Sequence, residues 1–144
     1  MWRTFLQGVS RDCTFAPPAK LDTMAATQLA LKVGFPEELL ALFSESNGVL
    51  GEYDLGLVWP LERILADNIS FRSNADFRGL YMPFDCLLFF GDAGNGDQFA
   101  FSICAGIIRR PDVFAWNHEN DSRTWVAPSL RKYLEWRLNG QIKL

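Results

Sequence analysis

Leu87-Leu88-Phe89-Phe90-Gly91-Asp92-Ala93-Gly94-Asn95-Gly96-Asp97-Gln98-Phe99-Ala100-Phe101-Ser102-Ile103 decides the fold class. Leu87 to Phe90 is too uniformly apolar for a strand with one wet face, so it is expected at the centre of a sheet covered on both sides. Gln98 to Ile103 alternates with the period of two that a half-buried strand requires. Between the two runs, Asn95-Gly96 is the pair that supplies positive φ angles to a tight hairpin turn. A β-branched residue in place of Gly96 would be strained there.

Working outward toward the C-terminus, Val113-Phe114-Ala115-Trp116 reads as another strand, Ile107-Ile108 as a shorter one, and Asn117 to Arg123 as a polar turn. Pro128 to Leu138 then places Leu130, Tyr133, Leu134 and Leu138 on one face of a closing helix, before Asn139-Gly140. Toward the N-terminus, Asp22 can cap a helix that Gly34 ends. Leu21, Ala25, Leu29 and Val33 recur in it every four residues, which makes that stripe its expected core face. A second helix starts at Pro36, with Glu37 and Glu38 at its positive end and Leu39, Leu42 and Phe43 turned inward, and stops at Asn47-Gly48. Val49 to Trp59 suggests short strands broken by Gly51 and Gly56, Pro60 opens a third helix, and Arg72 to Gly79 is read as polar loop. Helices, then strands on short connections, then a closing helix predict one α+β domain over residues 1–144. Its sheet should be largely antiparallel, with the helices mainly on one side.

The bulk numbers fit such a domain and narrow its chemistry. With 144 residues, 49% of them hydrophobic, the chain can bury about 70% of its unfolded surface in one core. Fourteen basic against 17 acidic residues leave a net charge of −3 with the signs interleaved, so direct nucleic-acid binding is not expected. Cys13, Cys86 and Cys104 are odd in number and scattered, as reduced thiols of a cytoplasmic protein would be. Met1 to Gln7 lacks the apolar core of a signal peptide, and no window approaches the roughly 18 apolar residues of a membrane span.

The polar run Gly91 to Asp97 invites a calcium reading, but a calcium loop starting at Asp92 would meet Gly94, Gly96 and Ile103 where it needs ligands. No Lys-Ser/Thr follows these glycines to make a phosphate cradle. His118 is the single histidine, the cysteines are ungrouped, and no Gly-x-Ser-x-Gly elbow surrounds any serine. The expectation is therefore no metal, no cofactor, no catalytic residues and no enzymatic activity.

Three blocks carry a resemblance. Gly34-Phe35-Pro36-Glu37-Glu38-Leu39 with Ser46-Asn47-Gly48 is the first, and Phe90-Gly91-Asp92 through Gly96-Asp97-Gln98-Phe99 is the second. Val113-Phe114-Ala115-Trp116-Asn117-His118-Glu119 is the third. In order and spacing they resemble the signature blocks of the SUKH superfamily, over about residues 20 to 138. Gln28, where many members carry an acid, and Ala93 and Asn95 inside the glycine-rich block depart from the pattern. The superfamily includes the SMI/KNR-type regulators of yeast cell-wall assembly. Its bacterial members are mostly implied to be immunity proteins that neutralise toxins.

The resemblance implies a non-catalytic, cytoplasmic, bacterial domain that binds a cognate protein toxin, with a basic nuclease as one candidate. A mildly acidic surface suits such a partner. The alternative it implies is an intracellular regulatory or scaffold module with an endogenous protein partner. The expected binding face joins the hairpin residues Asp92, Asn95 and Asp97 to His118, Glu119 and Asp121, with Trp116, read as a core ring at the end of its strand, beneath them as a buried aromatic anchor. Neutralising the four carboxylates of this face is expected to leave the fold intact. The fallback is a helical face with Glu37, Glu38 and Glu45.

Overall fold

The structure, a computed structural model, describes residues 1–142. Its elements follow the chain as α1 (Trp2–Val9), β1 (Thr14–Phe15), α2 (Leu21–Leu31), α3 (Glu37–Phe43), β2 (Val49–Leu50) and β3 (Gly56–Val58). They continue as α4 (Leu61–Ser73), β4 (Leu87–Asp92), β5 (Gln98–Ser102), β6 (Val113–Trp116), β7 (Arg123–Ala127) and α5 (Leu130–Leu138). All strand pairs are antiparallel, in a three-stranded sheet ordered β1-β2-β3 and a four-stranded meander β4-β5-β6-β7. This is the α+β architecture expected.

Alternation along β4 and β5 divides the core. Phe90, Phe99 and Phe101 face α5: Phe90 stacks on Phe101 at 4.6 Å, and Tyr133 closes on Phe99 at 4.8 Å and Phe90 at 5.2 Å. On the opposite face, Phe89 and Trp116 meet Phe71 of α4 and Phe84, with all four centroid separations between 5.1 and 5.8 Å. Because both faces are covered, Leu87 to Phe90 is continuously apolar, as its composition predicted.

The strand is nevertheless not central. β4 is the edge of the meander, and other elements satisfy its outer backbone. The Trp59 N–H donates to Phe90 O at 2.8 Å. The Asn68 side chain accepts from Phe89 N and donates to Phe89 O, each at 2.9 Å, as a missing strand would. Gly91 lets the two sheets touch, since any Cβ there would run into the Leu57 carbonyl and would lie 2.9 Å from the Tyr133 hydroxyl.

Several local expectations are corrected. The hairpin forms, but its positive φ angles fall on Gly94 (101°) and Gly96 (98°) rather than on the Asn95-Gly96 pair, and the loop closes through Ala93 N to Asp97 O at 3.0 Å. In α2 the buried residues are Met24, Thr27 and Leu31, while Leu21 and Leu29 are 78% and 81% exposed. Polar residues can occupy the packed side because each is satisfied locally: Thr27 donates to Thr23 O, and Gln28 donates to Met24 O while accepting from Phe35 N. The helix turns off at Lys32 in the left-handed region, not at Gly34.

α4 continues through Arg72 to Ser73, so the expected polar loop is shorter, and it contributes Phe77 to the aromatic cluster, which Tyr81 joins just beyond the loop. Ile107 makes only an isolated bridge to Cys104. The turn after Trp116 leads into β7, and α1 precedes everything that was expected to be ordered.

Candidate partner-binding site

Three connections lie side by side at one end of the molecule. They are the β2–β3 turn around Glu52 to Asp54, the β4–β5 hairpin tip and the β6–β7 loop. Leu55 lies 3.5 Å from where a Gly94 Cβ would stand, and the His118 ring lies 2.9 Å from where a Gly96 Cβ would stand. The two expected loops do meet, and a third joins them.

Most of the expected carboxylates are engaged internally. Asp92 receives a bidentate pair from Arg63 at 2.7 and 3.0 Å, and that guanidinium lies 4.1 Å over the Trp59 ring. Arg137 of α5 donates to the Asp92 carbonyl at 2.7 Å, fixing the hairpin base to the closing helix. Asp97 is buried, and its Oδ1 accepts from the His118 backbone N–H at 3.0 Å and pairs with His118 Nδ1 at 2.6 Å.

Asp121, held at φ 61°, accepts from Trp116 Nε1 at 2.8 Å, Arg123 Nη2 at 3.1 Å and Met82 N at 2.8 Å. With Tyr81 Oη donating to His118 O at 2.7 Å, these bonds strap residues 81–83 to the β6–β7 loop. Trp116, 3% exposed, is a core residue roofed by the loop, beneath the two loops where it was expected. Asn95 is exposed and accepts from Asp97 N, leaving Glu119 as the exposed acid of the expected set.

The residues sequence reasoning missed are Glu52, Tyr53 and Asp54, all exposed, with Tyr53 94% so. Tyr53 and Asp54 both sit at φ 57°, unusual for a residue as bulky as tyrosine. The available signal was a polar, aromatic-bearing insertion bounded by Gly51 and Gly56. No lysine or arginine occurs in segments 51–56, 92–97 or 117–122, so the loop surface is acidic around an exposed ring. The fallback helical face is weakened because Glu45 caps α1, accepting from Trp2 N at 2.8 Å and Arg3 N at 3.2 Å.

The Asp97–His118 contact has the geometry of the orienting half of a hydrolytic triad. Among the described residues no serine, threonine or cysteine hydrogen-bonds to the His118 ring. What the pair does is close the hairpin tip against the neighbouring loop.

These latches set an acid limit. Burial raises the Asp97 carboxyl, but the His118 ring and backbone donors and the charge of that ring outweigh it and hold the group below the usual aspartate range. Burial likewise raises Asp121, and the donors Met82 N, Trp116 Nε1 and Arg123 bring it below that range. A carboxyl lowered on folding stabilises the fold above the unfolded value near about 3.9, and that stabilisation is lost as pH falls through the lower folded value. The urea midpoint is thus expected to fall as the pH drops below about 4, less steeply in Asp121→Asn. Equal slopes in the two proteins would show that Asp121 does not form this latch. The same bonds make the four-carboxylate replacement a destabilising change rather than a neutral probe of binding.

No curated protein matches the chain at a significant level. A family model does match, over residues 22–134, from the first turn of α2 into α5. That span holds both sheets from β2 onward and all three loops of the acidic end, and it covers most of the chain. By this match the chain belongs to the SUKH_6 family, described as SMI1-KNR4 cell-wall.

Proposed function

We propose that the chain is a non-catalytic protein-binding domain, a cytoplasmic immunity protein of a bacterium that captures a cognate toxin with its three-loop end. The observation that carries this reading is an acidic surface without lysine or arginine in its loop segments, centred on the exposed Tyr53 and braced by Arg63, Arg137 and Asp121. A braced surface orders little on binding, and acidic rims accelerate association with basic partners. Family membership supports a protein partner. The toxin assignment rests on the further resemblance to bacterial immunity proteins, and a basic nuclease cleft is the partner that the charge suits best.

Where the adjacent gene encodes a toxin domain, that domain is the partner used in the test, a binding assay that resolves rates. Glu52→Gln, Asp54→Asn and Glu119→Gln together are expected to slow association and flatten its salt dependence, with dissociation nearly unchanged. Tyr53→Ala is expected to speed dissociation by about 30-fold, the equivalent of about 2 kcal/mol. Among the described residues the side chains of Glu52, Tyr53, Asp54 and Glu119 make no hydrogen bond or ion pair, so each variant should retain its melting temperature. Wild-type affinity in both variants would move the binding face elsewhere. An adjacent gene that encodes no toxin, with an endogenous protein captured at the same loops, would favour the regulatory alternative.

A further inference from the structure

The α2 stripe expected to face the core faces solvent instead. Leu21, Ala25 and Leu29, four residues apart, line the outer side of the helix, and Met24, Thr27 and Leu31 fill the inner side. A helix apolar on both sides ordinarily has both covered. We propose that a second copy of this chain covers it, through an antiparallel, two-fold pairing of α2 with the partner's α2.

The pattern is self-complementary in the way such an interface requires. A two-fold interface places each residue against its symmetry-related counterpart. Centred on Ala25, it sets Leu21 against the partner's Leu29 and Leu29 against the partner's Leu21, with the small alanine permitting close approach at the crossing. The charges fit as well. Asp22 and Lys32 are exposed at opposite ends of the stripe, and neither forms an ion pair among the described residues. In this register Asp22 lies about four residues, roughly 6 Å along the axis, from the partner's Lys32, a distance that a lysine side chain spans. Antiparallel packing also opposes the two helix dipoles favourably.

Two leucines and their alanine neighbours offer well under the ~800 Å² per partner of a stable interface, so the dimer is weak, with Kd on the order of 100 μM. The C-terminal end of α2 borders a cavity that it shares with Ile103 and Gly106, at the end of β5 opposite the hairpin tip. Pairing through α2 therefore leaves the acidic loops free, and it would present two of them at once.

Sedimentation velocity between about 10 μM and 1 mM decides the matter. The wild type is expected to move toward twice the monomer mass across that range, whereas Leu29→Arg stays monomeric with an unchanged melting temperature. Asp22→Lys is expected to weaken association about fivefold, and adding Lys32→Asp to restore it. Aspartate is tolerated at the left-handed Lys32 position, so the second change carries little strain. A wild type that remains monomeric at 1 mM would overturn the proposal, as would a dimer that survives Leu29→Arg. Failure of the double reversal to restore pairing would overturn the antiparallel register.

Discussion

Gly91→Ala is expected to lower the stability of the domain by about 3 kcal/mol or more, and its melting temperature by roughly 10 °C. The added methyl would be driven into the carbonyl of Leu57 on one side and to within 2.9 Å of the Tyr133 hydroxyl on the other. Neither neighbour can yield cheaply. Leu57 is backbone at the junction of the two sheets, and its carbonyl accepts from Tyr133 Oη at 2.9 Å in the fully buried centre of the molecule. Burial drives the Tyr133 hydroxyl pKa upward, so this group acts only as a neutral donor and acceptor between α5 and β3. Pushing the sheets apart would break that bond and the adjacent one from Trp59 N to Phe90 O. Gly79→Ala is the control, because among the described residues nothing beyond its two chain neighbours lies within 4 Å of its would-be Cβ. Thermal unfolding of both variants checks the claim, and a Gly91→Ala melting temperature within a degree of the control would mean that the sheets are not joined there.

Asn68→Leu is expected to cost about 3 to 5 kcal/mol, since each buried backbone group left without a partner costs about 1–3 kcal/mol. Leucine nearly matches asparagine in volume, so the change removes polarity rather than packing. Asn68 is 1% exposed and bonds both to its own helix, at Ile64 O, and to both backbone groups of Phe89. With leucine there, the outer edge of β4 would have no substitute strand, and water cannot reach it. Urea unfolding measures the loss, and hydrogen exchange locates it at the Phe89 amide. A loss below about 1 kcal/mol would show that the Asn68 bonds are not what satisfies this edge.

Much of the architecture was legible because periodicity and punctuation are local. Leu87 to Phe90, the glycines of the hairpin, the alternation of Gln98 to Ile103 and the Leu130 to Leu138 stripe each report their own element. Pro36 and Pro60 mark helix starts for the same reason, since each stands immediately before the first helical residue. What one sequence could not settle was which of two plausible faces packs. In α2, Leu21, Ala25 and Leu29 looked like the inner side, yet Thr27 and Gln28 could be buried at little cost because the backbone within reach satisfies them.

The candidate site divides along the same line. That loops 92–97 and 117–121 carry polar, turn-forming residues follows from composition alone. That Asp92, Asp97 and Asp121 are occupied by Arg63, His118 and the Met82 amide depends on contacts spanning 29, 21 and 39 residues, which no local pattern encodes. The core placement of Trp116 was the expected one, but which rings cover it, and that Tyr53 stays outside, were decided in the same way. A ring's burial is fixed by what the rest of the chain packs over it, and only the tertiary structure brings Phe71, Tyr81 and Phe84 onto Trp116 while leaving nothing to cover Tyr53.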